Sequence, residues 1–127
     1  DALPICAYLS TNELVTVLGN LLGNAIEAVN AQGSGNSRSV AVQITEDEKS
    51  LLIVVSDTGI GIPQEMLSHI YDFGFSTKAA EGRGFGMSMI KNIVVRHDGT
   101  IDVDTEQGAG TTFTLIFQIK RQKEGSQ

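Results

Sequence analysis

Positive charge is scarce in this chain: 9 Lys and Arg stand against 15 Asp and Glu in 127 residues, for a formal net charge of −6. Binding along a nucleic-acid backbone draws on a surplus of Lys and Arg, so the composition argues against a nucleic-acid partner. Any anion bound here has to be met by a local arrangement. A single cysteine, Cys6, rules out an internal disulfide and any CxxC zinc or redox motif, which suits a reducing, cytoplasmic setting. Long hydrophobic runs are missing, so no membrane-spanning helix is expected and the domain makes no direct membrane contact. A hydrophobic content of 41 % is nonetheless too high for a disordered chain. Neither an initiator Met nor a signal sequence opens the chain, which reads as an excised piece of a larger protein. Its length fits one domain over residues 1–127, with 120–127 as a frayed tail.

Ser10 and Glu13 form an S-x-x-E capping box, and Leu14, Leu18, Leu21, Leu22, Ala25 and Val29 then repeat at helical spacing to about Asn30. Turn-forming residues at 31–37 end this helix. Two β-branched runs, 39–45 and 51–56, joined by a charged loop, read as a hairpin. Pro63 opens a short helix to about Ile70, because proline suits a first helical turn. Periodicity is lost from Tyr71 to Arg83, returns as a helix from Phe85 to His97, and stops at Asp98-Gly99. Strands at 100–104 and 111–119 close the chain. Strands that arrive in adjacent pairs imply a largely antiparallel sheet with helices on one face, not alternating βαβ units.

Glycine is abundant where those elements break. Gly59, Gly61, Gly74, Gly82, Gly84 and Gly86 permit tight turns and close backbone approach to a ligand. Gly82-Arg83-Gly84-Phe85-Gly86 follows a polar loop and no strand, so a Rossmann reading fails, and no P-loop motif exists. The segment runs into the amino end of a helix, where free N–H groups favour phosphate, and Lys78, Arg83, Lys91 and Arg96 supply positive charge nearby. A flexible loop with a helix cap is the plainer alternative. On the first helix Glu13, Thr16, Asn20, Asn24 and Glu27 make a polar stripe, either a solvated face or a place where two amide oxygens one turn apart reach one ion. Mg²⁺ shared with substrate phosphates would suit it. Asp57, ending an apolar strand, is a turn-former or a carboxylate that accepts from the exocyclic amine of adenine and repels the guanine carbonyl. His69 lacks an evident Asp or Cys partner and His97 lies near a helix C-terminus, so both are expected to be structural. Tyr71, Phe73 and Phe75 read as loop anchors.

The order of these motifs is more specific than any one of them. Asn20-Leu-Leu-Gly-Asn24-Ala, Asp57-Thr-Gly-Ile-Gly-Ile-Pro63, Ile70-Tyr-Asp-Phe-Gly-Phe-Ser-Thr-Lys78, Gly82-Arg-Gly-Phe-Gly86 and Gly108-Ala-Gly-Thr-Thr-Phe113 resemble the N box, first glycine motif, F box, second glycine motif and terminal glycine motif of sensor histidine kinases. The resemblance spans residues 10 to 119 and is strongest to bacterial citrate and C4-dicarboxylate sensor kinases. It implies a two-layer α/β sandwich: a mixed, mostly antiparallel sheet, helices on one face and a mobile ATP lid. It implies ATP and Mg²⁺ as cofactors, with Asp57 on the adenine amine, Asn24 on the metal and Asn20 beside the phosphates.

By the same resemblance Gly59 and Gly61 give backbone room, while Gly82, Gly84 and Gly86 form the hinge and phosphate-facing end of the lid. Thr111 or Thr112, with Thr112 preferred, supports adenine through water, and Lys78 and Arg83 contact phosphate. Ile62, Thr77, Phe85 and Met87 complete the binding set, and Asn20, Lys78 and Arg83 the catalytic one. Departures from the pattern are Tyr71 for the usual Phe, Gly74 for a second aromatic, and Met87 and Met89 for Leu. The phosphoacceptor histidine and dimerisation helices are not in this chain, so the implied partners are that domain of the same parent, a membrane-anchored sensor of which this chain is a cytoplasmic domain, and a response regulator downstream. Hydrolytic relatives carry a Glu general base where Asn20 stands, and an amide has no useful basicity, which favours a kinase. An ATP-hydrolysing enzyme and a nucleotide-binding regulatory module without turnover are the competing readings.

Overall fold

The computed structural model describes residues 9–33, 37–72 and 86–118. Helix α1, Thr11–Asn30, starts at the expected capping box: the Ser10 hydroxyl accepts from the Glu13 N–H at 3.1 Å and the Glu13 carboxylate accepts from the Ser10 N–H at 2.9 Å. Two of the orphan donors at the helix start are thereby satisfied. Strands β1, Val40–Glu46, and β2, Ser50–Asp57, form the first hairpin; β3, Thr100–Glu106, and β4, Gly110–Gln118, form the second. The spatial order is β1-β2-β4-β3, and every pairing among these described strands is antiparallel, in keeping with the mostly antiparallel sheet expected. Between the hairpins lie a short 3-10 helix, Gln64–His69, preceded by Pro63, and helix α2, Gly86–Arg96. The segment expected to form the lid falls largely within 73–85, outside the described residues, as does the tail from 119 onward.

The two-residue strand period sorts the sheet into faces. Leu51, Ile53 and Val55 of β2 and Phe113, Leu115 and Phe117 of β4 are buried against the helices. Val17, Leu21, Ala25 and Val29 of α1 and Ile90, Ile93 and Val94 of α2 are buried with them. Both helices therefore share one face of the sheet, with α1 over β2 and its neighbours and α2 over β3. Strand β1 is covered only in part: Val40 packs against the core, whereas Val42 and Ile44, which share the helix-facing side through their register with Val55 and Ile53, remain exposed.

Helix α2 stops just before Asp98-Gly99, as expected. Asp98, not Gly99, adopts the left-handed conformation, at φ 56°. The Gly99 N–H then reaches the Val94 carbonyl at 2.8 Å and the Asp98 N–H the Val95 carbonyl at 3.1 Å, a Schellman closure. Gly99 is needed for a separate reason, since a Cβ there would press on the Ile116 carbonyl and the Phe117 ring.

Glycine also decides how the loops meet. A Cβ at Gly59 would overlap Ala28 of α1, and one at Gly110, at φ 134°, would overlap the Asp57 carbonyl. Gly19, by contrast, lies in the middle of α1 with open space around it. Opposite outcomes are expected for the same substitution. Gly19→Ala should stabilise by about 0.5–1 kcal/mol through helix propensity, whereas Gly110→Ala should lower the melting temperature sharply; thermal melts followed by circular dichroism compare the two.

Candidate functional site

Helix α1 presents three positions along one i, i+4 ridge, two of which meet other elements. At Ala28 the loop after β2 docks: Gly59 packs on it and the Ile60 N–H donates to the Ala28 carbonyl at 3.2 Å. One turn earlier is Asn24, which is exposed. One turn earlier again, Asn20 meets the start of α2, where a Cβ at Gly86 would overlap the Asn20 Oδ1. The Asn20 amide Nδ2 donates to the Thr16 carbonyl at 2.7 Å, which fixes the side chain and turns its oxygen toward α2. From Asn20 to Ala28 the helical rise is about 12 Å. A strip of that length thus runs from the Asp57 loop at one end to the amino end of α2 at the other.

Asp57 ends β2 on the helix-facing side. Its carboxylate accepts from the Gly59 N–H at 2.8 Å and from the Thr111 N–H, its register partner on β4. Burial pushes its carboxyl above the usual carboxylate range, while those two N–H groups pull it back. Ionised Asp57 is consequently a stability cost that the fold bears, with the carboxylate already oriented.

The loop around Asp57 is tied to the rest of the fold at several points. Gln32 donates through Nε2 to the Thr58 carbonyl at 2.7 Å and the Gly59 carbonyl at 2.9 Å. The Thr58 hydroxyl donates to the Ser37 carbonyl at 3.0 Å and accepts from the Ser39 N–H at 2.9 Å. Gly61, at φ 76°, sits where a Cβ would overlap the Glu106 carbonyl, and the Gly108 N–H donates to the Ile60 carbonyl at 2.7 Å. Gly59 and Gly61 were expected to leave room for a ligand; the space opened by their missing side chains is taken up by the backbones of α1 and of the β3–β4 turn. Ile62 packs on the core, and its N–H donates to the Thr105 hydroxyl at 2.9 Å, which in turn lies 2.8 Å from that of Thr111.

Strand alternation separates the two threonines. Thr111 is buried on the Asp57 side. Thr112, the residue preferred from sequence, lies on the opposite face with its hydroxyl 2.7 Å from that of Ser56. The glycine motif alone does not say which of two adjacent residues faces inward; the β2–β4 register does.

The polar stripe of α1 is not a solvent face throughout. Glu13, only 17 % exposed, joins the far end of α2: its Oε2 lies 2.7 Å from Arg96 Nη1, and both its oxygens lie 3.0 Å from His97 Nε2. The Ser10 N–H, then His97 and Arg96, hold the Glu13 carboxyl down at about 2. His97 also stands edge-on to Phe117 at 6.2 Å. Arg96 and Lys91, counted among the charges near the glycine-rich segment, are engaged elsewhere, Lys91 lying 5.0 Å over the Tyr71 ring. His69 has a partner that the sequence reading overlooked, Asp72 three residues on, with Nδ1 to Oδ2 at 3.0 Å. Thr77, Lys78, Gly82, Arg83, Gly84 and Phe85, like Phe73 and Phe75, lie outside the described residues. Met87 follows Gly86 at the start of α2 and packs on the core.

Two chemistries are available on this strip. A fixed carboxylate can accept from an amine at one end. At the other, amide oxygens and helix N–H groups can meet an ion and an anion. Among the described residues no three His, Cys, Asp or Glu side chains cluster as a metal cage, so the protein's share in coordinating a cation here is amide oxygen.

Comparison with known proteins bears on the same residues. Residues 10–121 match the family described as histidine kinase-, DNA gyrase B-, and HSP90-like ATPase. The "Probable C4-dicarboxylate sensor kinase" of Halalkalibacterium halodurans is 39 % identical over 113 residues, covering 89 % of this chain and 21 % of that protein. Sensor protein CitS of Bacillus subtilis is 32 % identical over 120 residues, covering 94 % of this chain and again 21 % of the relative. The chain thus spans about a fifth of the length of these relatives. Among solved structures the mycobacterial sensor histidine kinase MprB superposes with a TM-score of 0.68 at 24 % identity, covering 87 % of this chain and 74 % of that one, which establishes a shared fold.

The lowered Glu13 carboxyl gives a pH dependence with a definite sign. A carboxyl held at about 2 when folded and at 4.5 ordinarily contributes stability that is present above 4.5 and lost as pH falls toward 2. Urea unfolding across that window should show the loss, and Glu13→Gln should flatten it while costing about 1–2 kcal/mol at neutral pH.

Proposed function

Since the chain belongs to the histidine kinase-, DNA gyrase B- and HSP90-like ATPase family, we infer that it binds Mg-ATP and supplies the catalytic environment for phosphoryl transfer to a histidine. That histidine lies on the dimerisation domain of the same parent protein, and a response regulator takes the phosphoryl group downstream. The observation that carries the reading is the strip on α1. A carboxylate loop docks at Ala28 and the amino end of α2 at Asn20, the two points about 12 Å apart along α1, on the scale of a nucleoside triphosphate, with Asn24 between.

In this reading Asp57 accepts from the adenine amine, and its hydrogen bonds to Gly59 and Thr111 fix the carboxylate before the base arrives. Thr111 takes the supporting place beside Asp57 that was expected of Thr112. Asn24 offers an amide oxygen to Mg²⁺, and Asn20 stands beside the phosphates with Gly86 and Met87. Lys78 and Arg83 contact phosphate, and Thr77, Gly82, Gly84 and Phe85 belong to the same surface by resemblance. Bound Mg²⁺ would neutralise phosphate charge as the γ-phosphoryl group leaves. Because Asn20 is held by Thr16 and is not basic, this chain has no described group at that position to activate water, which favours transfer to an acceptor over hydrolysis. The domain over residues 1–127 is placed in the cytoplasm as part of a sensor kinase. Among the described residues no helix is long and apolar enough to cross a membrane.

Mixing the chain with labelled ATP, Mg²⁺ and its parent's dimerisation domain should yield acid-labile, base-stable phosphoprotein. Release of inorganic phosphate without phosphoprotein would identify a hydrolase, and binding with neither product a regulatory module. Asn24→Ala should abolish the Mg²⁺-dependent part of ATP affinity while leaving α1 folded, since alanine is the better helix former. Asp57→Asn should lower adenine nucleotide affinity by about tenfold to a hundredfold, equivalent to ~1.5–3 kcal/mol, and erase the preference over GTP. The same variant should be no less stable than the native chain at neutral pH, because it removes a carboxylate that burial disfavours. Competition titrations and denaturant curves measure the two effects separately.

A further inference from the structure

Two places mark the ends of the α1–α2 seam: the Asn20 side chain lies where a Cβ at Gly86 would stand, and Glu13 holds Arg96 and His97 at the far end of α2. Between them the interface is apolar, with Val17 and Leu21 on one side and Ile90 and Ile93 on the other all buried. Apolar packing is not directional and resists a small slide or roll of one helix on another far less than a hydrogen bond does. The axial position of α2 on α1 is therefore fixed at its carboxyl end, where Glu13 is itself immobilised by the cap of α1.

The hold is well built. Glu13 accepts from Ser10, Arg96 and His97 at distances of 2.7–3.0 Å, and His97 bears edge-on against Phe117 of β4, so α2 is referenced to the sheet as well as to α1. A helix of this length transmits such a constraint over about 15 Å. What lies at the other end is the first turn of α2, which begins at Gly86 against the Asn20 side chain. Gly86 permits that approach, since a Cβ there would overlap the Asn20 side chain. A displacement at Arg96 or His97 is thus passed along α2 to its amino end, whereas the Asp57 loop is held separately by Ala28, Gln32 and Thr111.

We propose that Glu13, through Arg96 and His97, is a positioning residue for the phosphate end of the nucleotide: it sets the register of α2 on α1 and so presents the α2 amino end to the phosphates. This rests on the nucleotide reading given above. It predicts a selective defect, in which the phosphates lose affinity and the base does not.

The test compares binding of adenosine, ADP and ATP with Mg²⁺ to the native chain and to three variants by NMR titration. Glu13→Gln should weaken ADP and ATP by about threefold to tenfold, the worth of a helix terminus facing an anion, and leave adenosine within twofold. Arg96→Gln, on an exposed side chain outside the cap, should give the same selective loss in smaller measure and serves if Glu13→Gln fails to fold. Ser10→Ala, which weakens the cap but leaves the ion pairs, should lower stability without changing the ratio of ATP to adenosine affinity. An unchanged ratio in both Glu13→Gln and Arg96→Gln, or an equal loss for all three ligands, would overturn the proposal while native ATP binding stands. Failure of the native chain to bind ATP would overturn the nucleotide reading and this proposal with it.

Discussion

The close approach of three backbones around Asp57 is the constraint on which the rest of this structure depends. Gly59 against Ala28, Gly61 against Glu106 and Gly110 against the Asp57 carbonyl leave no space for a Cβ at any of the three places. The end of the central strand, the first helix and the turn of the second hairpin are thereby pinned together. Everything distinctive about the carboxylate follows: its burial, its pair of backbone donors and its fixed aim. A looser junction would let water in, return Asp57 to its ordinary titration and cost the selectivity proposed for it.

That arrangement is a trade between stability and use. An ionised carboxylate half-buried at the end of an apolar strand is not what a chain optimised for stability would keep. Glu13, also ionised and largely covered, is the opposite case. Its partners make the charge favourable, and its carboxyl titrates far below the ordinary range. The two acids show how environment, not residue type, decides whether a charge strengthens the fold or burdens it.

Much of the architecture was legible in the amino-acid order. The capping box at Ser10 and Glu13, the apolar spacing of α1 and the β-branched runs of β1, β2 and β4 are local signals that tertiary contacts reinforce. The order of glycine and asparagine motifs pointed to the family that residues 10–121 match. What escaped was set by partners far away in sequence. Glu13 meets His97 and Arg96 across more than 80 residues, so its place in a polar stripe gave no hint of them. The choice between Thr111 and Thr112 needed the β2–β4 register, and the work of Gly59 and Gly61 needed the backbones that fill their space. Asp72 beside His69 was within reach, since three residues on a helical turn share a face. The left-handed Asp98 was not, because glycine next to it is the commoner choice for that conformation.

The order of the strands has a kinetic side. Each hairpin joins neighbours a few residues apart, but β2 meets β4 only by closing a loop of about sixty residues, from Leu51 paired with Phe117 to Asp57 paired with Thr111. Loop-closure entropy makes such non-local pairing the slow and costly step, while hairpins and helices form quickly on their own. Asp57, its Thr111 donor and the Gly110 approach all sit on that last seam. The carboxylate acquires its aim only when the two halves of the sheet have joined, so neither half of the chain, however well folded, can carry the site alone.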